Sequence, residues 1–174
     1  MSTNLWRFAD KGVEDLAYRF AAIAHGQQRR KYTGEPYINH PKAVAAIVRE
    51  VGGTPAMIAA AYLHDVVEDT HITDTDVRTI FGDEIADLVG WVTDVARPED
   101  GNRAARKAID CAHLELAPAE AQTIKLADLI DNTGSIEERD PDFWKVYRIE
   151  KLLLLEVLIK GDTTLHARAS EQCS

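Results

Sequence analysis

Between Tyr62 and Thr70 the sequence reads YLHDVVEDT, a histidine and three carboxylates set in an otherwise apolar, helix-like run. On a helix His64 and Asp65 are adjacent, Glu68 lies one turn beyond His64, and Asp69 lies one turn beyond Asp65. The four polar groups then form a two-by-two patch, while Val66 and Val67 turn toward packing. An imidazole beside a carboxylate suits a borderline divalent ion, and Glu68 and Asp69 are placed to take or give protons next to it. A solvated helix face would carry the same charges. The apolar flank AAAYLHDVVED implies burial instead, where carboxylates clustered without a cation repel one another and lose hydration.

A metal needs more ligands than one dipeptide supplies. TIKLADLIDNT offers Asp128 in the middle of an apolar helix, with Asn132 one turn on, and YINHPK offers His40 at a helix start. Two histidines and two aspartates make a mixed N/O site, which suits Mn, Fe or Zn better than Ca or a closed thiolate cage. Taken alone, His40 reads equally as a cap or packing residue, and Asp128 is similarly ambiguous.

The elements that must carry these residues are helical almost throughout. Val13, Leu16, Ala17, Phe20, Ala21 and Ala24 mark one buried face of a first helix reaching about His25. After the loop KYTGEPYIN, Pro41 suits a first helical position, and Gly52-Gly53 stops the second helix. Thr54-Pro55 caps and opens the helix that carries YLHDVVEDT. Further helical patterns cover 73–81, 84–93, 103–116, 119–132 and 141–159, and a short tail helix follows Gly161. No alternating strand pattern, repeat or low-complexity tract stands out. The reading is an all-α helical bundle of roughly seven to nine helices.

At 174 residues the chain suits one domain, 1–174, with a sizeable core. Its 20 Lys and Arg against 29 Asp and Glu give a net charge of −9, which argues against a nucleic-acid or anionic-membrane partner. An anionic substrate then needs a local cationic pocket or a metal. MSTNLWRFAD shows no basic stretch followed by an apolar core, and the apolar run at Leu152 to Leu155 is far below membrane-spanning length, so the expected location is cytoplasmic. Cys111 and Cys173 sit in no ligand or redox spacing and read as reduced bystanders.

The order H, HD, D, with GEPYINHP before HDVVEDT and KLADLIDN after it, resembles the HD-domain phosphohydrolases, and specifically the hydrolase domain of the RelA/SpoT family. The similarity runs from the first helix through DFWKVYRIEK and leaves no room for a synthetase or regulatory domain, which fits the small stand-alone alarmone hydrolases of the Mesh type. The resemblance implies one divalent ion, manganese, held by His40, His64, Asp65 and Asp128. It assigns Glu68 and Asp69 to orienting or deprotonating the attacking water. Arg30 and Lys31 match its basic pair, with Arg29 in reserve, Asn132 its sugar-contacting asparagine, and Lys107 and Arg148 its cations near the phosphates. Lys107 and Arg148 each read equally as a solvated helix charge. His25 reads as a packing or structural hydrogen-bonding residue on the buried side of the first helix.

The implied reaction is hydrolysis of (p)ppGpp at the 3′-pyrophosphate, giving GDP or GTP and pyrophosphate. A small-molecule nucleotide is the only partner expected; the oligomeric state is not legible. Two other classes stay open: the same centre acting on the 2′-phosphate of NADPH or on a nucleoside monophosphate, and a non-catalytic alarmone-binding module.

Overall fold

The computed structural model describes the backbone from Leu5 and the side chains from Gly12 to Ser174, so part of the MSTNLWRFAD stretch lies outside the described residues. Ten α-helices follow in order: α1 (Leu5–His25), α2 (Asn39–Glu50), α3 (Pro55–Leu63), α4 (Val66–Asp69), α5 (Asp74–Phe81), α6 (Asp83–Val92), α7 (Arg103–Leu116), α8 (Ala119–Arg139), α9 (Pro141–Val157) and α10 (Thr163–Glu171). A 3₁₀ turn, Pro98–Asp100, precedes α7. Among the described residues the β content is one isolated bridge, Arg29 with Pro36. The class is all-α, as the periodicity implies. Each segment read as helical is a helix, and the run through HDVVED is divided in two: α3 ends at Leu63, His64 and Asp65 make a turn, and α4 resumes at Val66.

The helix boundaries follow from local chemistry. Thr54 accepts from the Met57 N–H at 3.2 Å with Pro55 in the first turn, and Thr73 forms a reciprocal capping box with Asp76. Asn102, Asp140 and Asp162 cap α7, α9 and α10 in the same manner. Between α2 and α3, Gly52 takes φ +75°, a left-handed turn that a side chain would strain. The start of α2 differs from expectation. The Asn39 and His40 N–H groups bond back to Pro36 and Tyr37 carbonyls, so the helix begins at Asn39 and Pro41 falls inside its first turn. His40 is thereby carried within the first turn of the helix rather than at its cap.

Helix α3 is the centre of the packing. Met57, Ile58, Ala59, Ala60, Ala61 and Leu63 are all buried, so it has no solvent face, and α1, α2, α6 and α8 pack around it. Its small alanines let those neighbours approach closely. Ala17 and Ala21 of α1 are fully buried against this core, whereas Leu16, read as part of the same face, is 46% exposed. Helix α8 is buried along most of its length, from Ala121 to Ile136. Helix α9 meets α7 and α8, and α10 closes against α8 and α9. No helix among the described residues is long and apolar enough to cross a membrane.

Candidate metal centre

Three helices converge on one point. Helix α2 brings His40, the turn after α3 brings His64 and Asp65, and α8 brings Asp128. His40 Nε2 lies 3.2 Å from His64 Nε2, 3.1 Å from Asp128 Oδ1 and 3.6 Å from Asp65 Oδ2. His64 Nε2 lies 3.0 Å from Asp65 Oδ2 and 3.7 Å from Asp128 Oδ1. Ligands at about 2.0–2.2 Å from a common ion stand about 3.0–3.6 Å apart when they subtend roughly right or tetrahedral angles. The observed separations therefore suit a single ion, and His40, His64 and Asp65 by themselves already meet the requirement for a three-donor group.

The helix break creates this geometry. With the α3 ladder interrupted, the Ala61 carbonyl accepts from His64 Nδ1–H at 2.9 Å, which turns Nε2 inward as a lone pair. His40 Nδ1–H is donated to Asp131 Oδ2 at 2.6 Å, which leaves its Nε2 in the same state. Tyr37 Oη donates to Asp65 Oδ2 at 2.7 Å, and Asn132 Nδ2 donates to Asp128 Oδ1 at 2.7 Å. Lys125 Nζ sits 3.0 Å from Asp128 Oδ2, leaving the other oxygen directed at the histidines.

The electrostatics favour positive charge at this point. Burial opposes protonation of His40, yet its bonds to Asp128 and Asp131 outweigh that and set its pKa above the usual value. His64 lies well above it, with burial overcome by Asp65 and Asp128. Both aspartates are held ionised despite burial, Asp65 by His64 and His40, and Asp128 by Lys125 and the two histidines. Lys125 is likewise kept charged, burial notwithstanding, by Asp128 and Asp94. Tyr37 remains a protonated donor, pushed up by burial and Asp65.

A cavity of about 820 Å³ opens from these ligands between α7 and α9. Glu68, Asp94, Arg103, Lys107, Lys125, Asn132 and Tyr147 supply its polar wall near the centre. Partial desolvation and the Asp94 carboxylate push Glu68 up to about 7, with Lys125 pulling the other way. Asp69 stands beside the centre and not in the cavity wall: it meets Tyr37, the donor to Asp65, and Gln28 Nε2 donates to it at 3.4 Å. The pair read as one unit from the sequence is thus divided, Glu68 to the cavity and Asp69 to its flank.

The cationic candidates also separate. Lys107 lines the cavity, ion-paired to Asp94 at 2.5 Å. Arg30 is buried, its guanidinium on Asp131, Asn132 and Ser135. Lys31 is exposed and rests over the Tyr32 and Phe143 rings. Arg148 donates to the Cys173 carbonyl at 2.6 Å, away from the cavity wall. His25 is a buried structural residue, as read, bonded to Gln28 and packed on Tyr37. Cys111 and Cys173 are both free thiols.

Sequence reading passed over Asp131, Lys125, Tyr37 and Asp94. The first two were open to discovery, since Asp131 and Lys125 each lie three residues from Asp128 and so share its helix face. Asp94 carried no comparable signal, because it reaches Glu68 and Lys107 only through the loop after α6.

An HD domain family model matches residues 17–152. The MESH1 guanosine-3′,5′-bis(diphosphate) 3′-pyrophosphohydrolase of Xenopus tropicalis is 36% identical over 138 residues, covering 78% of this chain and 75% of that protein. The guanosine-3′,5′-bis(diphosphate) 3′-pyrophosphohydrolase of Aquifex aeolicus is 40% identical over 123 residues, covering 69% of this chain but only 17% of that protein. The solved structure of a metazoan ortholog of SpoT that hydrolyzes ppGpp superposes with a TM-score of 0.82 at 29% identity, covering 92% of this chain and 93% of that one.

Proposed function

The chain belongs to the HD domain family, and we propose that it hydrolyses (p)ppGpp at the 3′-pyrophosphate as a metal-dependent, cytoplasmic enzyme working as one domain over 1–174. The observation that carries this reading is the convergence of His40, His64, Asp65 and Asp128 beside the cavity, with the Nδ1–H of each imidazole turned away and Nε2 inward. The Xenopus tropicalis relative, matched over three quarters of its length, is named for this reaction, whereas a Streptomyces coelicolor relative is named GTP pyrophosphokinase.

The four residues would hold one divalent ion, and the mixed N/O donor set suits manganese. When bound, the ion supplies Lewis acidity and neutralises phosphate charge. The protein's own groups do the rest. Glu68 faces the cavity with a pKa near the operating range, so its carboxylate accepts a proton from the attacking water. Water adds to the phosphorus carried on the ribose 3′-oxygen, the P–O3′ bond breaks, and a proton returned to that oxygen completes the 3′-hydroxyl as pyrophosphate leaves. Lys107 and Asn132 contact the nucleotide from the cavity wall, and Lys31 approaches from the rim. Asp69 steadies Tyr37, which in turn orients Asp65. Such an activity would serve to remove an alarmone, as in a stringent response.

Purified protein with manganese, assayed against ppGpp, pppGpp, NADPH and simple nucleotides, tests the proposal. Release of pyrophosphate from ppGpp and pppGpp with little turnover of the others is the expected result. Preferred release of phosphate from NADPH would move the substrate assignment, and no turnover of any of them would favour a binding module.

A further inference from the structure

Behind His40 runs a part-buried chain of polar groups, of which Asp131 and Arg30 have no part in the reaction described above. Asp131 Oδ2 accepts from both His40 Nδ1–H, at 2.6 Å, and Arg30 Nη1–H, at 3.1 Å. Arg30 Nη2 reaches Ser135 Oγ at 3.1 Å and Asn132 Oδ1 at 3.4 Å, and Asn132 itself donates to Asp128 Oδ1 at 2.7 Å. Arg30 is only 9% exposed, and its loop is pinned by its own N–H on the Glu35 carbonyl at 2.9 Å. One guanidinium therefore touches the support of two of the four ligands, His40 through Asp131 and Asp128 through Asn132.

Resting on the metal-centre reading above, we propose that Asp131 and Arg30 are positioning residues that set how tightly the centre holds its ion. A carboxylate on the far nitrogen of a ligating imidazole fixes the tautomer and ring orientation and makes the near nitrogen a stronger donor. Left to itself, a carboxylate this close could rotate away toward solvent. Arg30, fixed by its fork to three partners, holds Asp131 in the orientation that serves His40. A guanidinium so engaged is a support for the site and not a clamp on the nucleotide.

Manganese titration of the full chain, without nucleotide, tests this. Asp131→Asn still accepts the His40 Nδ1–H but loses the charge, and should weaken manganese binding about 10–100-fold with the helical spectrum and melting cooperativity retained. Arg30→Ala and Arg30→Lys should each weaken it in the same direction, and either combined with Asp131→Asn should lose less than the product of the separate losses. The Lys variant keeps a buried cation, so the test survives if the Ala variant does not fold. Unchanged manganese affinity in Asp131→Asn overturns the proposal, as does an Arg30→Lys variant with native manganese affinity and a raised KM, the mark of a substrate clamp. A native chain that binds no manganese overturns it along with the metal centre. Manganese binding with these losses, but without hydrolysis of ppGpp, upholds it and removes only the substrate reading.

Discussion

The Nε2 atoms of His40 and His64 lie 3.2 Å apart while each Nδ1–H is given elsewhere, to Asp131 and to the Ala61 carbonyl, so the neutral rings face one another with two lone pairs. Two lone pairs so close, with Asp65 and Asp128 completing the ring, are reconciled by a shared cation. Removing a ligand should therefore remove the ion. His64→Ala or Asp65→Asn is expected to reduce bound manganese, by elemental analysis, to the level of the buffer and to reduce hydrolysis to background. Circular dichroism should show the helices intact, since α3 is held by apolar contacts on all sides. Native metal content in both variants would sink the assignment.

Glu68 should act on rate and not on metal. It lines the cavity one turn past His64 and has no place in the ligand set. Glu68→Gln is expected to keep manganese and nucleotide binding while kcat falls on the order of 10²–10⁴-fold, the usual contribution of a positioned acid–base group. Asp69→Asn, off the cavity wall, should cost less than Glu68→Gln. Equal losses in the two would restore the undivided pair.

The raised pKa of Glu68 has a consequence for stability. Its folded value, about 7, lies above its unfolded value of 4.5. Such a group favours the folded state fully below the unfolded value, and the benefit disappears as pH rises through the folded one. Metal-free Glu68→Gln should therefore melt above the wild type at pH 8, with the gap narrowing toward pH 4. A gap that does not change with pH would show that the carboxylate is not desolvated.

Lys151 makes the same kind of prediction with the opposite chemistry. It is fully buried, its ammonium bonded among the described residues to Thr133 Oγ1 and Gln172 Oε1, both at 2.8 Å, and burial lowers its pKa to about 8. A lysine depressed on folding adds stability above its unfolded value of about 10.4, and that stability is lost as pH falls to the folded value. The wild type should gain melting temperature between about pH 8 and pH 10 from this group. Lys151→Met should lack that gain, and equal slopes in the two proteins would remove Lys151 as its source.

How much of this was legible in the sequence depends on how far apart the partners lie. Helix α7 runs from Arg103 to Leu116, as its periodicity implies, because Asn102 caps it locally and Ala117 ends it. His64, Asp65 and Asp128 carried their own signal, charge in apolar helix. The break at His64 did not, since the apolar pattern continues across it, and the bond from the His64 ring to the Ala61 carbonyl is evident only in the fold. Arg30 and Asp131 are 101 residues apart. Each reads locally as a surface charge, and only the packing of the loop onto α8 makes them a pair.

Substrate contact is where residues with the same charge should behave most differently. Lys107 stands in the cavity wall against Asp94, whereas Arg148 is turned to the Cys173 carbonyl at the C-terminal end of the fold. A tetraphosphate entering the cavity can draw the Lys107 ammonium off Asp94, exchanging one charge-assisted bond for another; Arg148 has no such exchange to make. Such bonds contribute about 1.5–3 kcal/mol, so Lys107→Ala should raise KM for ppGpp by about 10- to 100-fold with melting temperature nearly unchanged. Arg148→Ala should do the reverse, lowering melting temperature by releasing the C-terminal residues while KM holds. Steady-state kinetics and thermal melts on the two variants separate the roles, and a large KM effect from Arg148→Ala would show that its guanidinium leaves Cys173 for the nucleotide.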